Sequence, residues 1–260
     1  MQSSFELIGT AWSFYKKQPV LNEIAFWLFF VPVGTVDALM GMIETASAQG
    51  LDVKVNDLEA LTAMEVIITI PLVIIMVYLV IWGQSCTLMV AKRLVSSPAG
   101  RNRTSFKAVR TQAKKYIGAL FLTELLRGAL TILWALLLIV PGVIYSIRTV
   151  FYDIMMIEEG KVGYGRPILN RSKEFVTGRT KDVLLKLLIM GVCIFIPIAI
   201  LDGLLSFGIT AIDERLSTLA LVLSDLIEAF AGMFFLVCTV ALYADLKKSS
   251  SSYSPRPTPK

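Results

Sequence analysis

Glu124, Arg127, Arg148 and Asp153 stand inside one long apolar stretch, and Asp225 and Glu228 inside another. Charges so placed can pair across helices, relay a proton, or hold a polar substrate or lipid headgroup. Left alone at a bilayer centre, each costs about 2.5–3.5 kcal/mol on insertion scales. Glu124 and Arg127 are three residues apart, as are Asp225 and Glu228, so each pair shares one face of a helix. Counting 1.5 Å per residue from the expected inner ends puts Glu124 about 12 Å and Arg148 about 13.5 Å into the membrane. The two therefore lie level, which predicts an interhelical Glu124–Arg148 ion pair with Arg127 and Asp153 as outer partners. Glu228 lies about 16 Å from its expected outer end. With no base on its own segment, it is expected to meet Arg127 or Arg148, hold a proton, or line a wet cavity.

Other chemistry is thinly represented. Histidine is absent, which removes Ser-His and Cys-His nucleophiles, imidazole metal sites and histidine relays. Cys86, Cys193 and Cys238 each sit alone in an apolar run, without the paired spacing of a zinc or disulfide framework. "GKVGYG", residues 160–165, lacks the Lys-Ser/Thr ending of a phosphate loop. No Gly-x-Gly-Asp and no paired Asp-x-x-Asp occurs. The expectation is a protein with no catalytic, cofactor-binding or metal-binding residues.

The elements that must position these charges are read from the apolar runs. Hydrophobic residues make up 55% of the 260-residue chain and charged ones only 17%, against about a quarter charged in soluble domains. Runs such as "VIITIPLVIIMVYLVIW" do not alternate, which excludes a β-barrel. Six stretches of about the length a bilayer demands stand out, at about 23–43, 64–86, 116–140, 143–157, 183–205 and 217–243. The 42 residues from Tyr116 to Ile157 would reach about 63 Å as one helix, twice a bilayer core. They must therefore reverse. Pro141-Gly142 is the strongest breaker present, and is taken as the hairpin turn. Pro32, Pro71 and Pro197 are expected to kink passes one, two and five.

Cations fix the orientation. Lys16 and Lys17 precede pass one, and Lys92, Arg93, Arg101, Arg103, Lys107, Arg110, Lys114 and Lys115 lie between passes two and three. Lys161, Arg166, Arg171, Lys173, Arg179, Lys181 and Lys186 link passes four and five, and Lys247, Lys248, Arg256 and Lys260 follow pass six. The alternate connections carry only Lys54 and Arg215 against Glu44, Asp52, Asp57, Glu59, Asp202, Asp213 and Glu214. Both termini are thus expected in the cytoplasm, with the chain a multi-pass protein of the inner (plasma) membrane. The net charge of +5 is then a topology signal and calls for no nucleic acid. Ala46-Ser47-Ala48 resembles a cleavage site, but the apolar run before it exceeds the 7–15 residues of a secretory signal, so the segment is expected to stay.

Each cytoplasmic segment also reads as an amphipathic helix lying at the headgroups before its hairpin. Phe5, Ile8, Trp12 and Tyr15 form the first apolar stripe, and Phe106, Val109, Ala113 and Tyr116 repeat its spacing. In the third, Pro167 suits the first turn and Ile168, Leu169, Phe175 and Val176 form the face. Ser172 is expected to cap or pack there, and Gly178 to end the helix. The fold expected is all-α: six transmembrane helices as three hairpins, each preceded by an interfacial helix, forming one domain over residues 1–246. The Ser/Pro-rich segment 247–260 is expected to be a disordered cytoplasmic tail.

From about Gly83 to Ile189 the chain resembles bacterial membrane proteins grouped with YciC and with the membrane domain of glycerophosphodiester phosphodiesterases. The matching features are Pro141-Gly142 after an apolar run, Arg148 in the next pass, Glu158 at its cytoplasmic end, and "SKEFVTG" with Ser172 and Gly178. The resemblance implies a membrane module serving lipid or envelope homeostasis. The catalytic domain that accompanies the module in some relatives is expected to be absent, six passes having consumed the chain. The function expected is non-enzymatic, with anionic membrane lipids or another membrane protein as partner and no nucleic acid. A transporter or channel-like component using the buried charges is the second reading, and a lipid-modifying enzyme the third.

Overall fold

Apolar runs this long cannot leave backbone N–H and C=O groups to water, so helix, which satisfies them internally, is the form open to them. The computed structural model describes residues 2–48, 55–96, 105–160, 164–212 and 217–251, and among them there is no strand. The helices are α1 (Ser4–Lys17), α2 (Val20–Ile24), a π-helical turn (Ala25–Phe30), α3 (Val31–Ala48), α4 (Val55–Ser96) and α5 (Phe106–Leu137). They continue as α6 (Ile139–Arg148), α7 (Tyr152–Glu159), α8 (Arg166–Val176), α9 (Thr180–Ile212) and α10 (Ser217–Ser251). Six helical segments are long and apolar enough to cross a membrane: Val20–Leu39, Thr69–Ser96, Phe106–Leu137, Ile139–Glu159, Thr180–Ile209 and Leu219–Ser250. By side-to-side packing α4 lies on α5, α5 on α6, and α9 on α10.

Several boundaries differ from expectation for identifiable reasons. The reversal between α5 and α6 is at Leu138, whose extended backbone (φ −161°, ψ 135°) separates the helices. Pro141 and Gly142 lie just inside α6. Proline is tolerated in a first turn, where its missing N–H has no partner to lose. Gly142 is there for closeness: a Cβ on it would meet Ala135 Cβ at 2.8 Å and Ala135 backbone atoms at 2.9 Å. Pro32 gives no simple kink. The N–H of Val31 reaches back to the Phe26 carbonyl, so the helix widens into a π turn just before the residue that cannot donate. Pro71 and Pro197 lie within continuous helices. The tail begins later than read, because α10 stays helical through Ser251; residues 252–260 lie outside the described residues.

α1 opens on a capping box, Ser3 and Glu6 satisfying each other's backbone N–H groups. Its buried stripe is Leu7, Ala11 and Phe14, whereas Phe5 and Trp12 of the expected stripe face outward. The helix is therefore apolar on two sides. The second expected amphipathic segment is no separate helix but the first turns of α5, burying Val109, Ala113 and Tyr116 with Lys107, Arg110 and Lys114 exposed; Arg103 lies outside the described residues. In α8, Ile168, Leu169, Ser172 and Val176 are buried.

The core sits around α7. Six consecutive residues, Tyr152 to Ile157, are buried, the mark of a helix surrounded on all sides. The rings of Phe151, Phe175 and Tyr243 meet edge-on or tilted beside it, and Leu88, Leu120 and Leu169 belong to the same buried cluster. Gly160, left-handed at φ 66°, ends it. The packed core thus lies toward the cation-rich ends of the long helices, while Ile70, Ile74, Leu204 and Phe207 farther along them stay exposed, as lipid-facing side chains do.

Candidate functional site: a polar seam around a broken helix

The segment from Ile139 to Glu159 is not one helix. It breaks at Thr149, Val150 and Phe151, where Thr149 (φ −101°) and Phe151 (φ −98°) leave helical geometry. Two β-branched residues in a row weaken the helix there, and Thr149 turns its hydroxyl back on the Tyr145 carbonyl at 2.9 Å. A break strands backbone groups. Ser172, fully buried on α8, takes two of them: its hydroxyl donates to the Arg148 carbonyl at 3.0 Å and accepts from the Phe151 N–H at 3.3 Å.

Arg127 fills the other side of the break. Its Nε donates to Thr149 Oγ1 at 3.1 Å, and Nη2 donates to the carbonyl and hydroxyl of Ser146 at 3.4 and 3.3 Å. Nη1 pairs with Glu124 at 3.0 Å, and the guanidinium lies over the Tyr152 ring, 5.6 Å from its centroid. Tyr152 in turn donates its hydroxyl to Glu124. Thr123, buried beside them, accepts from the N–H of Gly165 at 3.0 Å and so ties α5 to the start of α8.

The expected Glu124–Arg148 pair is not formed. Glu124 pairs within its own helix, and the exposed Arg148 donates instead to Thr180 Oγ1, 3.3 Å away, at the first residue of α9. The count that set the two level assumed an unbroken pass, and the break at 149–151 changes the register. Asp153 has no ion-pair partner among the described residues either: buried, it accepts from Gln84 Nε2 at 3.2 Å and from the N–H of Ile154 at 2.7 Å. Asp225 and Glu228 belong to another place. Asp37, Glu228 and Asp202 are the charged neighbours of Asp225, Asp202 accepts from Ser224, and the enclosed Asp225 Oδ2 has no hydrogen-bond partner among the described residues. The expected single cluster is thus a seam at the α6–α7 break and a separate acidic group between α3, α9 and α10. Among the described residues no such group is arranged to hold a metal.

The cation-rich ends converge on the C-terminus of α7. Lys92 Nζ donates to the carbonyls of Ile157 and Glu158 at 3.0 and 2.9 Å, where a cation meets the negative end of the helix dipole. Glu158 accepts from Tyr243 at 2.7 Å and pairs with Lys247, and Glu159 pairs with Arg171. Gly178 (φ 82°) turns the chain from α8 into α9. Between α4 and α5 a cleft of about 340 Å³ is lined by Lys92, Arg93, Lys115, Gln112, Ser96 and Tyr116 over an apolar floor that includes Met89 and Val109.

Sequence reasoning missed three of these roles. Ser172 as the plug of the break carries no local signal, since its partners lie over twenty residues away. Gln84 stands alone in an apolar run, with nothing local to tie it to Asp153. Lys186 and Asp245, both mostly enclosed, face each other at 3.6 Å between α9 and α10; in the sequence Lys186 is one more cation of the basic segment. No family model, curated protein or solved structure matches this chain.

Proposed function

We propose that the chain is a non-enzymatic inner-membrane protein that binds anionic lipid headgroups, with its helices paired as three hairpins and both termini in the cytoplasm. The cation-bearing connections and the amphipathic faces of α1 and α8 then meet the inner leaflet. The observation that carries the reading is the cleft between α4 and α5. Basic pockets between membrane helices on the cytoplasmic side suit phosphate-bearing headgroups, and here Lys92, Arg93 and Lys115 all line the cleft, Lys92 donating also to the end of α7. The apolar floor fits the glycerol end of an acyl chain. A role in envelope homeostasis is what the resemblance to YciC-like proteins adds, and a second membrane protein is the alternative partner.

The test is lipid retention by the purified protein, read by native mass spectrometry after exchange into mixed phosphatidylglycerol and phosphatidylethanolamine. Each surface cation contributes about 1 kcal/mol toward an anionic headgroup. Arg93→Gln with Lys115→Gln should therefore weaken phosphatidylglycerol retention about thirtyfold and leave phosphatidylethanolamine unchanged. Equal retention of both lipids by the unaltered protein refutes the reading.

One observation favours a second reading, a transport component: the Asp225 carboxylate enclosed beside Asp37, Asp202 and Glu228. Proton-driven flux in liposomes that Glu228→Gln abolishes, with folding intact, would establish it in place of the first.

A further inference from the structure

We infer that α5 and α6 form a re-entrant hairpin, dipping into one leaflet and returning to the side it came from, with the acyl chains of that leaflet as its partner. The inference rests on the membrane reading alone and not on headgroup binding.

Length is the first argument. The Arg127–Thr149 and Arg127–Ser146 hydrogen bonds join the two arms at a base. From Arg127 to the end of α5 at Leu137 is about 15 Å, and from Leu138 back to Arg148 is again about 15 Å. The base is tied to α9 by the Arg148–Thr180 hydrogen bond. Thr180 begins α9 between Arg179 and Lys181, so it lies at the membrane surface or outside it. Whatever the tilt, the tip reaches no more than about 15 Å past that level, half of the roughly 30 Å hydrocarbon core. Adding the whole Arg148 side chain still leaves it short. α9, with 33 residues, has the length the hairpin lacks.

Composition agrees. From Ile132 to Ile144 the chain reads "ILWALLLIVPGVI", without a charge, carboxamide or hydroxyl. The sequence joining α3 to α4 carries Asp52 and Lys54, and that joining α9 to α10 carries Asp213, Glu214 and Arg215, charges that the α5–α6 tip lacks. Leu136 is 79% exposed, Leu138 67% and Ile139 76%. Such a tip in water on the far side would leave all of that apolar surface hydrated, at a cost that scales with its area. Leu138 uses both backbone groups, its N–H donating to Trp134 at 3.0 Å and its carbonyl accepting from Gly142 at 3.4 Å, and Pro141 has no N–H to strand. Full crossing is then left to the Val20–Leu39 segment, α4, α9 and α10. Their even number keeps every cation-rich segment on one side.

The test uses the full chain in sealed membranes with Cys86, Cys193 and Cys238 replaced by alanine. A single cysteine is placed at Leu138 or at Val140, with Ser47→Cys and Thr177→Cys as markers of the two faces, and a membrane-impermeant maleimide is applied from each side. The inference expects Ser47→Cys and Thr177→Cys to label from opposite faces. It expects Leu138→Cys and Val140→Cys to label from neither until detergent is added. Labelling of the tip from the Ser47 face means that the hairpin crosses, and labelling from the Thr177 face means that it never enters the lipid; either overturns the inference. Marker cysteines that label from one and the same face would sink the membrane reading beneath it.

Discussion

Replacing Ser172 with alanine removes one oxygen and takes the partner from two backbone groups at the break, one buried and one partly buried. The residue is fully buried, and its hydroxyl both donates to the Arg148 carbonyl and accepts from the Phe151 N–H. A buried polar group left unsatisfied costs about 1–3 kcal/mol. Two of them, sharing one hydroxyl and partly relieved by local adjustment, put Ser172→Ala at about 2–4 kcal/mol less stable. For a chain of this size that lowers the melting temperature on the order of 5–15 °C. The assay is thermal unfolding of the detergent-solubilised protein, followed by far-UV circular dichroism and by loss of monodisperse protein after heating. Ser13→Ala is the reference, since Ser13 bonds only within α1 on an exposed face and should stay within about 0.5 kcal/mol of the parent. Ser172→Cys, of similar size but with a weaker donor and acceptor, should fall between the two. If Ser172→Ala unfolds with the parent, the hydroxyl is not what holds the break, and the account of the α6–α7 junction fails.

Two further predictions follow the same logic. Gly142→Ala should destabilise by about 1–3 kcal/mol through overpacking, because its Cβ meets Ala135 backbone as well as side chain. Gly118→Ala, with nothing within 4 Å of the new methyl, should stabilise by about 0.5–1 kcal/mol; the same melting assay reads both, and a common sign would refute the packing argument. In the seam, Arg127→Met should cost more than Glu124→Gln, since the arginine side chain is the more enclosed of the two and makes more bonds. A double-mutant cycle on the pair should return a coupling of about 0.5–3 kcal/mol, and simple additivity would show that the two do not act together.

The apolar runs were legible because a helix in lipid needs little more than length and composition, and all six appear near their expected places. Where the reading slipped, a local signal had two physical meanings. Pro141-Gly142 breaks a helix, but proline also starts one, and the glycine answers to Ala135 on the facing helix rather than to a turn. Phe5 and Trp12 made a clean stripe on α1, yet the neighbouring stripe of Leu7, Ala11 and Phe14 is the buried one, because periodicity cannot rank two apolar faces of one helix. Residue counting placed Glu124 level with Arg148 on straight helices. The Thr149-Val150 pair marks the fault in that count, but a single β-branched pair is too common in membrane helices to be read as a break. The plug at Ser172 depends on α8 folding back over α7, which is a tertiary fact with no local trace.

The break and the short hairpin explain one another. Irregular backbone within a membrane protein persists where protein buries it, and α8 supplies that cover through Ser172 and its buried neighbours Ile168 and Leu169. The same geometry changes what the charges cost. If the hairpin is re-entrant, Arg148 beside Thr180 and Arg127 beside Thr149 put the seam near the lipid surface, where long cationic side chains reach water and pay far less than the 2.5–3.5 kcal/mol of the bilayer centre. A set of charges at that level needs no transport route to justify it. On that placement it works as a collar where the two arms of α5 and α6 enter the leaflet, and Glu124 neutralises Arg127, whose side chain is largely enclosed. Among the described residues Asp225 is flanked instead by acids, Asp37, Asp202 and Glu228. If any intramembrane charge of this chain serves movement of an ion, it is in that group, between helices long enough to cross.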